Sequence, residues 1–327
     1  MKRVLALLFL LVGCGSGGAD RAAAPGPAEN GEIVFASKRD GDFDIYVMRA
    51  DGSNVRNLTH DSATDATEAD DGQPVWSPDG RTIAFLSTRD HRGDGDAAQD
   101  VYVMDAHGGD VRRLTENDAA ERSLDWTRDG RLVLWRCTGG VFGCSLVALS
   151  TDGGDEEELF DAGDGVSGLS VSPDGSKVAF NRWDVNAATN DVDVVVADLD
   201  GGGERPLTTA PGVDGDPEWS PDGTKLVFAS DRDRNGDCFF HDCTGHAPEL
   251  YVMNADGRGQ RRLTDDPGYD VFGTWSPDGK LIVFARLAEE DGDYELFVVD
   301  ASGGPPRPLT DNGEWDWMPD WGATGTR

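Results

Sequence analysis

From residue 32 onward, short apolar runs rich in β-branched and aromatic side chains alternate with turns rich in Gly, Pro and Asp. Runs of this length, too short for helices and bounded by such turns, predict β-strands. One stretch shows the unit. Pro217, Glu218 and Trp219 make a first strand, and Ser220-Pro221-Asp222-Gly223 a tight turn. There Pro presets φ, Asp caps through its side chain and Gly accepts positive φ. The nearly unbroken apolar run 225–229 predicts a second strand covered on both faces. Residues 249–253 form the third strand, Asp256-Gly257 turns the chain, and the charged stretch 260–264 is an outer strand whose charges discourage edge-to-edge pairing.

The unit recurs. Its anchors are Trp76-Ser77-Pro78-Asp79-Gly80, Trp126-Thr127-Arg128-Asp129-Gly130, Val171-Ser172-Pro173-Asp174-Gly175, Trp219-Ser220-Pro221-Asp222-Gly223, Trp275-Ser276-Pro277-Asp278-Gly279 and a clipped Trp321-Gly322, at intervals of 50, 45, 48, 56 and 46 residues. Four-stranded repeats of this length predict an all-β propeller. The first repeat, 33–59, lacks a first strand, and the chain ends with a first strand, Asp316 to Gly322, that has nothing after it. Paired together they complete a blade, so the reading is a six-bladed propeller over 32–322, closed by the C-terminal strand, with a tail at 323–327.

The anchors, with Ser37-Lys38-Arg39-Asp40, Ser87-Thr88-Arg89-Asp90 and Ser230-Asp231-Arg232-Asp233, resemble the TolB-type propeller repeat across 32–322. The resemblance implies a propeller of the TolB type. TolB proteins carry an α/β domain before the propeller, whereas here the propeller follows a tether directly, so a place in the Tol–Pal system is not implied.

The first residues follow another logic. Met1-Lys2-Arg3, the apolar run 4–12 and Gly13-Cys14 read as a bacterial signal peptide over 1–13, too short to span a bilayer. Its end resembles a lipobox, which implies lipidation of Cys14. Residues 14–31, rich in Gly, Ala and Pro, are a flexible tether. Cysteine use agrees with export: the remaining four fall in two close pairs, Cys137/Cys144 and Cys238/Cys243, expected as disulfides.

With 29 basic and 62 acidic residues, net charge −33, the chain would be repelled by phosphate backbones, so no nucleic-acid partner is expected. Anionic membrane surfaces are disfavoured too, which leaves the acyl anchor as the membrane attachment. A basic segment of a protein or peptide would be attracted.

Loop lengths place the function. The Ser-Pro-Asp-Gly and Asp-Gly turns barely vary, whereas the connections 88–99, 137–144, 182–190 and 231–248 and the inter-repeat segments 60–73, 210–216 and 265–273 vary widely. In a propeller both variable sets open on one face, and binding is usually built from variable loops on a rigid scaffold. Trp315, Trp317, Tyr269, Phe272 and Trp183 are candidate anchors near its mouth, or core residues packed between blades. Asp231, Asp233, Asn235, Asp237 and Asp242 fit a calcium-loop pattern with Gly236 at the bend, although the first two also belong to the family turn. Cys238, His241, Cys243 and His246 sit too close together for a usual zinc site, so a disulfide is expected there. His60, His91 and His107 have no cysteine or histidine beside them and read as surface residues.

No Gly-x-Ser-x-Gly elbow occurs and five residues follow Trp321-Gly322, so the peptidase reading of related propellers is not favoured. The expectation is a monomeric, non-enzymatic envelope lipoprotein that binds a protein or peptide, calcium being its one candidate cofactor. The alternative is an extracytoplasmic carbohydrate-active or metal-dependent enzyme of the lyase-propeller type.

Overall fold

A computed structural model describes residues 30–60, 70–90, 99–139, 141–152, 154–187, 191–233, 247–266, 268–287 and 292–324. Its secondary structure is β-strand, and the strands make six antiparallel four-stranded sheets, the six blades of a propeller. Blade two shows the connectivity: β4 (Asp71–Trp76), β5 (Thr82–Ser87), β6 (Asp100–Asp105) and β7 (Arg112–Arg113) run from the axis outward. Blades three to six begin with the inner strands β8 (Ala120–Trp126), β12 (Val166–Val171), β16 (Asp214–Trp219) and β20 (Tyr269–Trp275).

Blade one closes the ring. Its inner strand is the C-terminal β24 (Asp316–Ala323), paired with β1 (Asn30–Ser37), which continues to β2 (Asp44–Arg49) and β3 (Arg56–Asn57). Each of the six apolar clusters lies between two neighbouring blades. Phe85 and Tyr102 of blade two pack with Val34 and Val47 of blade one, and Phe228 and Tyr251 of blade five with Val194 and Val196 of blade four. The second strands are therefore apolar on both faces because a blade covers each side.

The repeated phrases have local causes. In the first Ser-Pro-Asp-Gly turn the Ser77 hydroxyl donates to Asp79 at 2.7 Å and accepts Thr82 N–H at 3.0 Å, and Gly80 sits at φ 65°. The Thr of each Leu-Thr pair ties the fourth strand to the third: Thr59 Oγ1 accepts Ile45 N–H at 2.9 Å, and Thr264 Oγ1 accepts Leu250 N–H at 3.0 Å. In the Ser-x-Arg-Asp phrase the Arg spans the blade. Arg89 pairs with Asp71 at 2.6 Å while its guanidinium lies over the Tyr102 ring at 4.9 Å, and Arg232 repeats this with Asp214 and Tyr251.

Three details depart from the sequence reading. The outer strands are two residues long in five blades, such as Arg261–Arg262, and shorter than the stretch expected, because the Leu-Thr step leaves the sheet directly. Blade three instead carries an eight-residue outer strand, β11 (Glu156–Gly163). Most of the segment between Cys137 and Cys144 is strand and not loop, since β9 (Leu132–Gly139) and β10 (Phe142–Leu149) pair as far as Gly139 and Phe142. The two cysteines face each other across this pairing and form the expected disulfide, both fully buried.

Candidate functional site: the axial cavity

The six inner strands surround a central cavity of 290 Å³. Each strand bulges at the same place, near the middle of its pairing with the second strand. The bulged residues are Gln73, Ser123, Gly168, Asp216, Phe272 and Met318, and all six have φ between 49° and 59°. Five of them are not glycine, and left-handed backbone is costly for such residues. Repetition around a closed ring marks it as part of the architecture: the bulge turns each inner strand's side chains toward the axis.

Immediately before each repeat's anchor residue, two positions after the bulge, stand Val75, Asp125, Ser170, Glu218, Thr274 and Asp320, of which Val75, Glu218, Thr274 and Asp320 line the cavity. Carboxylates thus alternate with uncharged side chains around the axis. These groups also lace blades together. Asp125 accepts the N–H of Val171 in the next blade at 2.6 Å, and Ser170 accepts that of Trp219 at 3.1 Å. Asp320 accepts that of Trp76 at 2.6 Å. Trp126 and Trp275 donate their indole N–H to Val75 O and Glu218 O, both at 3.2 Å.

The cavity is acidic, and its carboxyls are shifted toward their neutral form. Burial, with the nearby charge of Asp320, pushes the Asp125 carboxyl up to about 7. Burial raises Glu218 well above its ordinary range, reinforced by Asp125 and Asp320. Asp320 is raised by burial as well. Asp216, in the bulge ring, is pushed up to about 6 by burial, although its neighbour Asn181 opposes the shift. Arg122 is the one cationic residue of the lining, and no histidine is among the lining residues. A site of this kind gains from a cation placed among its carboxyls.

On the variable-loop face, between blades one and six, an aromatic cluster stands beside the cavity. Trp317 stacks on Phe43 at 5.4 Å, meets Phe272 edge-on at 6.0 Å and adjoins Trp315 at 5.7 Å. Tyr294 packs on Trp315 at 5.3 Å. Three of the candidate anchors, Trp315, Trp317 and Phe272, thus come together, and Phe272 also lines the cavity. Tyr269 is buried in the same interblade core, and Trp183 is half-buried on blade four.

The calcium pattern is only partly in view. Asp231 accepts Val213 N–H at 2.8 Å, and Asp233 accepts the Tyr251 hydroxyl and lies 3.4 Å from Arg262. Asn235, Asp237, Asp242, Cys238 and Cys243 lie outside the described residues, as do Cys14, the signal segment and His91. His60 and His107 are exposed.

The axial ring had no local signal in the sequence. Its members are 45 to 56 residues apart, and only superposition of the repeats puts them in one column.

Comparison with known proteins agrees with this architecture. The chain is 34% identical over 157 residues to the uncharacterized peptidase YuxL of Bacillus subtilis, covering 48% of this chain and 21% of that protein. It is 30% identical over 178 residues to the Tol-Pal system protein TolB of Anaeromyxobacter dehalogenans, covering 54% of this chain and 37% of the relative. The chain thus spans well under half the length of either. Among solved structures, TolB from Acinetobacter baumannii superposes with a TM-score of 0.69 at 16% identity, over 91% of this chain and 67% of that one. Oligogalacturonate lyase from Vibrio parahaemolyticus gives 0.54 at 16% identity, over 86% and 74%. Both share the fold. The TolB beta propeller domain, PD40, matches residues 18–186, just over half of the chain, and the protein therefore belongs to the TolB β-propeller family.

Proposed function

We propose that this protein is an exported scaffold of the cell envelope, anchored through lipidated Cys14, which binds a basic segment of a protein or peptide through its variable-loop face and axial cavity. The observation that carries this reading is the cavity-lining set Asp216, Glu218 and Asp320, with Asp125 close enough to act on Glu218, behind an aromatic rim that includes Trp317 and Phe272. A Lys or Arg entering the cavity would meet carboxylates whose charge is at present held back by burial. Half-buried Trp and Phe at the rim are the side chains that usually anchor such contacts. Long-range attraction from a chain of net charge −33 would steer the encounter. The TolB relative is by name a Tol-Pal system protein, which supports a protein partner in the envelope. The L-V-G-C end of the leader makes an acyl chain on Cys14 the attachment proposed.

The lyase and peptidase relatives sustain a second reading, an extracytoplasmic enzyme. A cavity lined by carboxylates, hydroxyls and one arginine, with no histidine or nucleophile–base pair, gives binding more support than acid–base chemistry.

The test is capture from envelope extract with the chain from residue 20 onward as bait, comparing wild type with Glu218→Gln. Salt-sensitive retention of a basic partner, weakened in the variant, is expected. Retention that ignores both salt and the substitution, or no retention, overturns the proposal. Mass spectrometry of the N-terminal peptide should show acylated Cys14.

A further inference from the structure

On the variable-loop face of blade one, Asp40, Asp44 and His60 bring one ligand atom each within 4.8 Å of one another. Asp44 is buried, whereas Asp40 and His60 are exposed. The propeller supplies its own comparison. In blade two the equivalents of the two acids are Asp90 and Asp100, and Arg113 lies 4.0 Å and 2.5 Å from them. In blade five Arg262 lies 3.4 Å from Asp233 and 2.6 Å from Glu249. The residue after Leu-Thr is then acidic, Glu116 or Asp265, and it also meets that arginine.

Blade one breaks this pattern twice. The arginine position holds Asn57, whose amide donates to Asp40 at 3.2 Å and to Asp44 at 2.8 Å but brings no charge. The acidic position holds His60. The two carboxylates thus have an amide where blades two and five have an arginine, and blades four and six a proline, and an imidazole lies beside them. Among the described residues nearby, Tyr46 and Thr59 give Asp40 and Asp44 uncharged hydroxyl donors, Arg39 is committed to Asp316 at 2.7 Å, and Asp42 and Asp70 add negative charge.

We propose that Asp40, Asp44 and His60 form a divalent transition-metal site of the Zn²⁺ class. One imidazole nitrogen and two carboxylate oxygens make three of the four ligands zinc takes. The fourth ligand would be water or a donor from outside the described residues. Calcium, which takes six to eight oxygen ligands, is a poor match. The site is separate from the axial cavity and does not depend on the partner reading.

The experiment is calorimetric titration of the oxidised full chain with Zn²⁺ at pH 7.5, comparing wild type with His60→Ala and Asn57→Arg. The second variant installs the arginine that blades two and five carry. Cys238, His241, Cys243 and His246 are present in all three proteins, so the difference reports this site. Both variants should bind one Zn²⁺ fewer per chain, or bind it at least about tenfold more weakly, and should still melt cooperatively. Millimolar Ca²⁺ should not compete. Equal stoichiometry and affinity in all three proteins, loss in only one variant, or displacement by Ca²⁺ would overturn the proposal.

Discussion

The carboxylate of Asp320 accepts the main-chain N–H of Trp76 at 2.6 Å across 244 residues of sequence. The bond joins the last strand of the chain to the inner strand of blade two, so the residue that places negative charge on the axis also fastens the ring. Asp125 does the same between blades three and four. Charge in the cavity and cohesion of the propeller are properties of the same side chains.

Ring closure should dominate stability. Arg39 and Asp316 link the N-terminal and C-terminal strands of blade one by two hydrogen bonds of 2.8 and 2.7 Å, and the Asp316 side chain is fully buried. Arg39→Ala leaves that charge unpaired and should cost about 3 kcal/mol, measurable by urea unfolding. Deletion from residue 316 onward removes the inner strand and exposes the core shared with blade six. Loss of the cooperative thermal transition is expected.

Stability should fall as pH rises through neutrality. Asp125, at about 7, and Asp216 and Asp270, at about 6, are all raised by burial, as are Glu218 and Asp320. The folded chain therefore holds protons that the unfolded chain, with carboxyls near about 4, releases. This contribution is fully present below the unfolded value and is lost as pH rises to the folded one. Asp174 and Asp278 are shifted the other way, to about 2, by hydrogen bonds from Ser172 and Ser276, and their contribution is lost below about 4. The melting temperature should peak between about pH 4 and 5 and decline toward pH 8. Scanning calorimetry of Asp125→Asn should show a shallower decline.

Glu218→Gln should separate binding from folding. The substitution removes an axial charge that burial disfavours, so the melting temperature at pH 7.5 should rise. Affinity for a labelled Lys- and Arg-rich peptide, read by fluorescence anisotropy, should fall several-fold, with a weaker dependence on salt. Unchanged affinity would count against the cavity as the binding site.

The disulfide within blade three should have a modest effect. Cys137 and Cys144 close a loop seven residues apart in sequence, so little chain entropy is removed. The double Cys→Ser variant should lose about 2 kcal/mol by chemical unfolding and remain folded. A reductant should reproduce that loss.

The sequence by itself determined the propeller: its strands, its six repeats and its closure. Each of those follows from local information: apolar runs, Pro-Asp-Gly turns, and a first strand missing at one end and left over at the other. The disulfide of blade three was legible for the same reason, its cysteines being close in sequence. The long outer strand of blade three was not legible, since it depends on pairing with β10 and not on its own acidic composition. What only the tertiary structure decided is which residues share the axis. Val75, Asp125, Ser170, Glu218, Thr274 and Asp320 look unrelated along the chain, and the grouping of Asp40 and Asp44 with His60 is no more apparent. Side chains from strands tens of residues apart meet only when the ring closes. Their charges then lose water and act on one another through space, an interaction set by distance in the fold.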